Sequence, residues 1–85
     1  MNLNKQNLIN KIKYRAQYRG TKEMDKFVKL FVKKIVNGLD INELENLNRL
    51  INLSDEEILN ISYGKKKIDI SNKIIKSLID FKNKY

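Results

Sequence analysis

Hydrophobic positions recur along this chain at the spacing of one helix face after another. Leu8, Ile12 and Ala16 stand four apart with Ile9 and Tyr14 beside them, which predicts a first helix from about Asn4 to Tyr18. Met24, Phe27, Val28, Phe31 and Ile35 repeat at i, i+3, i+4, i+7 and i+11, while Lys22, Lys26, Lys29 and Lys33 fall mostly on other faces. This second helix is the clearest in the chain, and its Met24, Phe27, Phe31 stripe reads as core. Gly20 separates the two helices, as a residue able to take the left-handed conformation that ends a helix, and Gly38 closes the second. Asp40-Ile41-Asn42-Glu43 has the form of a capping box and opens a third helix whose apolar face is Leu44, Leu47, Leu50 and Ile51. Ser54-Asp55-Glu56-Glu57 starts a short fourth helix carrying Ile58, Leu59 and Ile61, which Tyr63-Gly64 ends. Ile74, Ile75, Leu78, Ile79 and Phe81 predict a fifth helix over Asn72 to about Lys82, whereas Ile68-Asp69-Ile70 alternates as a locally extended segment would. The chain has no proline to break these patterns. Helical elements joined by short connections imply an all-α fold, a small antiparallel bundle of four to five short helices.

Composition narrows what such a bundle does. With no His and no Cys, the chain lacks the usual metal ligands, the usual general base and the best nucleophile. A chain of 85 residues buries roughly 60 to 65% of its unfolded surface, enough for one modest domain with little room for a water-excluding pocket. The expectation is a protein that is not an enzyme, with no catalytic residue, no metal site and no cofactor of its own. Absent cysteine excludes a disulfide scaffold and suits a reducing compartment. No apolar run approaches the roughly 20 residues of a membrane span, and Met1-Asn2-Leu3-Asn4-Lys5-Gln6 lacks a secretory h-region. A soluble, unprocessed cytoplasmic protein is expected.

The net charge of +8 points toward nucleic acid until its distribution is considered. Residues 1 to 64 carry 11 basic and 8 acidic side chains, while residues 65 to 85 carry 7 and 2, so most of the excess lies in the tail. Lys65-Lys66-Lys67 reads as a solvated linker. A helix-turn-helix made of the third and fourth helices would place Asp55, Glu56 and Glu57 where a phosphate contact is wanted, which argues against that rival. A toxin-neutralising or membrane-associated regulator is the other alternative, using the C-terminal amphipathic stretch.

Arg15, Arg19 and Arg49 are the only arginines in a lysine-rich chain, and two of them flank the first helix break. There Arg19-Gly20-Thr21-Lys22-Glu23-Met24-Asp25 sets an arginine and two carboxylates around a glycine, with no nucleophile nearby. Such a site binds and has no evident means of chemistry. Tyr14, Arg15 and Tyr18 stand three or four positions from one another or from Arg19, forming an aromatic and cationic surface beside it. The plainer reading is capping, because Arg19 follows one helix and Glu23 occupies the first turn of the next, where the macrodipole favours each sign.

The segment Tyr14 to Asp25 resembles the signature of the FAD assembly factor family of succinate dehydrogenase, called SdhE in bacteria. That family's hallmark is Arg-Gly-x-x-Glu, often extended to Arg-Arg-Gly-Met-x-Glu-Leu-Asp, and Arg19, Gly20, Glu23 and Asp25 match it. The likeness continues through Phe31, Leu39, Glu43, Leu50, Asp55 and Asn60, covering roughly residues 8 to 64. Tyr18 replaces a common arginine, Thr21 a common methionine and Ile61 a frequent tryptophan. On this resemblance residues 1 to 64 form the family domain, and residues 65 to 85 a basic helical tail packed on or flanking it.

The resemblance implies a bacterial assembly factor, monomeric when free. It would bind the flavoprotein subunit of succinate dehydrogenase, and a fumarate reductase relative, while FAD is joined covalently to a histidine of that subunit. It would favour the partner conformation competent for that attachment and supply no catalytic group. Arg19, Gly20, Glu23 and Asp25, with Arg15, Tyr14 and Tyr18, are the expected partner-binding residues. Arg19 would set its fork against partner carboxylates or carbonyls, and Glu23 and Asp25 would accept hydrogen bonds or pair with partner bases.

Overall fold

The computed structural model describes residues 3–85; Met1 and Asn2, the start of the N-terminal hexapeptide considered above, lie outside the described residues. The elements are α1 (Leu3–Gln17), α2 (Lys22–Ile35), a 3-10 turn (Val36–Gly38), α3 (Ile41–Ile51), α4 (Asp55–Ser62) and α5 (Asn72–Lys84). There is no strand among the described residues, and no helix there is long and apolar enough to cross a membrane. The fold is a compact all-α bundle, 37 × 26 × 21 Å.

Helix α1 buries Ile9, Ile12 and Ala16 against α2 and α3 and leaves Tyr14 exposed. Helix α2 starts where the Thr21 hydroxyl accepts a hydrogen bond from the Met24 amide at 3.2 Å, so the departure from methionine at this position supplies an N-cap. Its apolar stripe buries Met24, Phe27, Val28, Phe31 and Val32. At α3 the Asp40 carboxylate accepts from the Glu43 amide at 2.8 Å and Glu43 accepts from the Asp40 amide at 3.0 Å, closing the capping box. Ser54 caps α4 in the same manner through the Glu57 amide.

Glycine ends α4 but not α1. Gly64 has φ +75°, its amide donates to the Ile61 carbonyl and the Lys65 amide reaches back to Asn60, both at 2.9 Å, which is the Schellman arrangement. Helix α1 instead stops at Gln17, three residues before Gly20, whose φ of +130° belongs to the turn and not to a helix cap. The sequence-based expectation of a left-handed cap at Gly20 is corrected accordingly. Ile61 is fully buried, so its exchange for the larger tryptophan common in the resembled family is a matter of core volume.

The segment 65–71 crosses to α5 over the solvent, with Lys65 to Lys67 exposed. The extended form expected for Ile68-Asp69-Ile70 gives way to a tight turn in which the Ile70 amide donates to the Ile68 carbonyl at 2.9 Å. No neighbouring strand is at hand to pair its backbone, so the turn satisfies that amide locally. Side-chain alternation survives the change, because Ile70 is buried, Ile68 half-buried and Asp69 exposed. Asn46 on α3 then accepts from the Ser71 amide at 2.9 Å and fixes where α5 begins.

Helix α5 completes the core. Ile74 and Leu78 are buried in the same cluster as the α1 to α4 side chains, and the Phe81 ring lies 5.5 Å from Phe27 and 5.7 Å from Phe31. Two surface ion pairs tie this end to the body: Lys73 to Glu43 at 2.9 Å and Lys66 to Glu57 at 2.7 Å. The Asp40 amide, and then Lys73, hold the Glu43 carboxyl below the usual range. Lys66, and then the Ser54 amide, do the same for Glu57.

Candidate functional site

The motif sits in the turn between α1 and α2, and its residues divide by what they touch. Arg19 points inward with a side chain only 6% exposed. Its Nη1 donates to the Ile51 carbonyl, its Nη2 to the Leu53 carbonyl at 2.6 Å and its Nε to Asp55 Oδ1 at 3.0 Å. Ile51 ends α3 and Asp55 opens α4, so the guanidinium lies between the negative end of one helix dipole and the carboxylate at the positive end of the next. The planar fork suits this place because three acceptors lie around it, a set that a lysine ammonium meets less well. Arg19 is thus occupied within its own chain, where the sequence had offered it to a partner.

Asp25 is also engaged internally. Its Oδ1 accepts a hydrogen bond from the Arg19 amide, six residues back and across the turn, while its own amide donates to the Thr21 carbonyl at 2.9 Å. Between them Gly20 holds φ +130°, a region where a side-chain-bearing residue is strained, although the space around its missing Cβ is open. Backbone conformation, not crowding, requires glycine here.

Glu23 is different. It is exposed in the first turn of α2, and its carboxylate takes no hydrogen bond or ion pair among the described residues. Tyr14 and Tyr18 are 68% and 67% exposed with ring centroids 4.9 Å apart, and Arg15 is exposed beside them. The seven predicted residues therefore form two groups. Arg19, Gly20 and Asp25 build the turn, and Glu23, Tyr14, Arg15 and Tyr18 face solvent.

Among the surface clefts beside the turn, two are lined by solvent-facing residues of the predicted set. One, of about 500 Å³, runs from Arg15 and Tyr18 over Arg19 to Asn52, Leu53, Ser54 and Asp55. The other, of about 270 Å³, lies between Glu23, Met24, Phe27, Leu59, Tyr63, Lys82 and Tyr85. Asp55, together with the Ile51 and Leu53 carbonyls, had no assigned part as a partner of Arg19. The scarcity of arginine was the one signal in the sequence that a fork was needed, and nothing there told where its acceptors would come from.

No grouping of acidic residues able to hold a metal ion occurs among the described residues, and the exposed groups at the turn include the Glu23 carboxylate, the Arg15 guanidinium, the Lys22 ammonium and two phenols. Tyrosine rings and a guanidinium are among the side chains that interface hot spots favour. A protein-family model described as Sdh5, flavinator of succinate dehydrogenase, matches residues 10–82. No curated protein and no solved structure matches the chain. The match runs from α1 through most of α5, past residue 64 where the motif-based resemblance stopped. With an Arg-Gly-x-x-Glu turn between its first two helices and the family model spanning most of its length, the chain belongs to the Sdh5 family, the flavinator of succinate dehydrogenase.

Proposed function

We propose that this assembly factor promotes FAD attachment without a catalytic group, by binding the flavoprotein subunit of succinate dehydrogenase through the surface around Glu23. The observation that carries this reading is the contrast inside the motif: Arg19 and Asp25 are engaged within the chain, and Glu23 has a carboxylate with no partner among the described residues. The backbone of Glu23 is already ordered in the first turn of α2, so pairing its carboxylate with a guanidinium or amide of a partner costs side-chain freedom alone and returns a charge-assisted hydrogen bond. Tyr14, Arg15 and Tyr18 widen the contact on the α1 side, offering the residue types that dominate interface energetics. Arg19, Gly20 and Asp25 contribute by keeping the turn in shape. FAD belongs to the partner, and the factor raises the population of the partner conformation in which attachment proceeds. The factor works as a monomer and carries no cofactor of its own.

Co-expression with the flavoprotein subunit tests this. Covalent flavin is read by in-gel fluorescence and complex formation by co-purification. Glu23→Ala is expected to keep the wild-type helical circular dichroism while reducing both signals by roughly tenfold. Unchanged flavin and unchanged co-purification for that variant would show that the motif is scaffold alone.

A further inference from the structure

Resting on that proposed function, we infer that the interface extends from Glu23 into the cleft closed by α5. This cleft serves as an anchor pocket for one apolar side chain of the flavoprotein subunit, flanked there by a basic residue toward Glu23 and an acidic residue toward Lys82. The floor of the pocket is apolar: Met24 and Phe27 show only 8% and 4% of their surface, and Leu59 is half-buried. Two exposed rings form its walls. Tyr63 and Tyr85 are each 56% exposed, and Tyr85 stands edge-on to Phe27 with centroids 5.1 Å apart. Both rings keep more than half of their surface in solvent, and Tyr is among the residues that interfaces favour.

The rim carries separated charges. Lys82 Nζ lies 5.1 Å from the Tyr63 ring centroid and 5.9 Å from that of Phe27, and no carboxylate pairs with it among the described residues. Ring faces hold this ammonium at the mouth and leave its positive charge uncompensated. Glu23, at another part of the same rim, is the unpaired carboxylate. An apolar residue entering between them is best accompanied by a base for Glu23 and an acid for Lys82. A volume of about 270 Å³ accommodates one large side chain and falls below the usual range for cofactor-sized ligands, which favours a protein segment over the flavin itself. Asp55, which lines the cleft over Arg19, and Leu59 and Tyr63, which line this one, follow one another at four-residue steps along one side of α4 and its C-cap, so the two clefts lie about 12 Å apart along that helix.

The test is isothermal titration of the full-length protein with the purified flavoprotein subunit. Tyr63→Ala and Lys82→Glu are each expected to raise Kd by roughly tenfold or more, with helical circular dichroism and Tm kept. Lys82→Glu leaves the Tyr63 turn intact, so it carries the test on its own if Tyr63→Ala unfolds. Wild-type affinity in both folded variants overturns the pocket. Glu23→Ala separates this outcome from the wider one: weakened binding there, beside wild-type pocket variants, removes the pocket and leaves the proposed function standing. Wild-type affinity in all three removes both.

Discussion

Arg19 shows how one residue of the Arg-Gly-x-x-Glu motif serves the fold. Its guanidinium joins the end of α3 to the start of α4 from a turn more than 30 positions upstream, through contacts with Ile51, Leu53 and Asp55. Arg19→Lys keeps the charge but cannot meet three acceptors around one plane, so it is expected to cost about 2 kcal/mol. For a domain of this size each kcal/mol lowers Tm by about 4–8 °C, which a thermal melt followed by circular dichroism measures directly. Gly20 and Asp25 belong to the same small structure, one permitting the turn and the other tying its ends. Glu23, the last residue of the Arg-Gly-x-x-Glu pattern, has a carboxylate with no hydrogen-bond or ion-pair partner among the described residues.

Among the elements, α2, α3 and α4 follow local rules almost completely. Thr21, Asp40 and Ser54 each cap a helix through the amide three residues on, as their residue types allow. Cap and tether coincide at two glutamates, and this makes the elements sensitive to acid. Glu43 and Glu57 have lowered pKa values in the folded protein, so they bind fewer protons folded than unfolded. Their contribution is complete above the ordinary glutamate value of about 4.3 and is lost as pH falls through the folded values. Urea midpoints measured from pH 6 to pH 3 are expected to fall, and Glu43→Gln with Glu57→Gln to reduce that slope. Equal slopes in wild type and the double variant would mean that neither pair matters in solution.

At the scale of the whole molecule, α5 is the member that local rules describe least. Its Phe81 ring closes an aromatic group with Phe27, Phe31 and Tyr85, with Lys34 Nζ 5.8 Å from the Phe81 centroid. Phe81→Ala opens a gap over the α2 stripe and, because Phe81 is only partly buried, is expected to cost about 2–3 kcal/mol, below the range for a fully buried ring. Chemical denaturation supplies the measurement. If its cost is below about 0.5 kcal/mol, α5 is an appendage to an independently stable body. The excess of positive charge in residues 65 to 85 sits mainly on the outside of this helix and its linker, where Lys66 and Lys73 answer Glu57 and Glu43.

Helix positions, the caps at Asp40, Ser54 and Gly64 and the apolar faces were determined by the sequence itself, because each depends on residues within five positions of one another, whereas the end of α1 was not. The lack of His and Cys likewise pointed to binding without chemistry, and the Arg-Gly-x-x-Glu turn, through the family resemblance it carries, to an assembly factor. Only tertiary structure decided which motif side chains turn inward. The three acceptors of Arg19 come from the junction of two helices distant in sequence, and a guanidinium looks the same in a sequence whether it faces a partner or a buried carbonyl. The cleft between Glu23 and Lys82 was invisible for the same reason. Its walls come from α2, α4 and α5, and no local pattern records that Tyr63, Lys82 and Tyr85 gather beside Glu23 once the chain has closed.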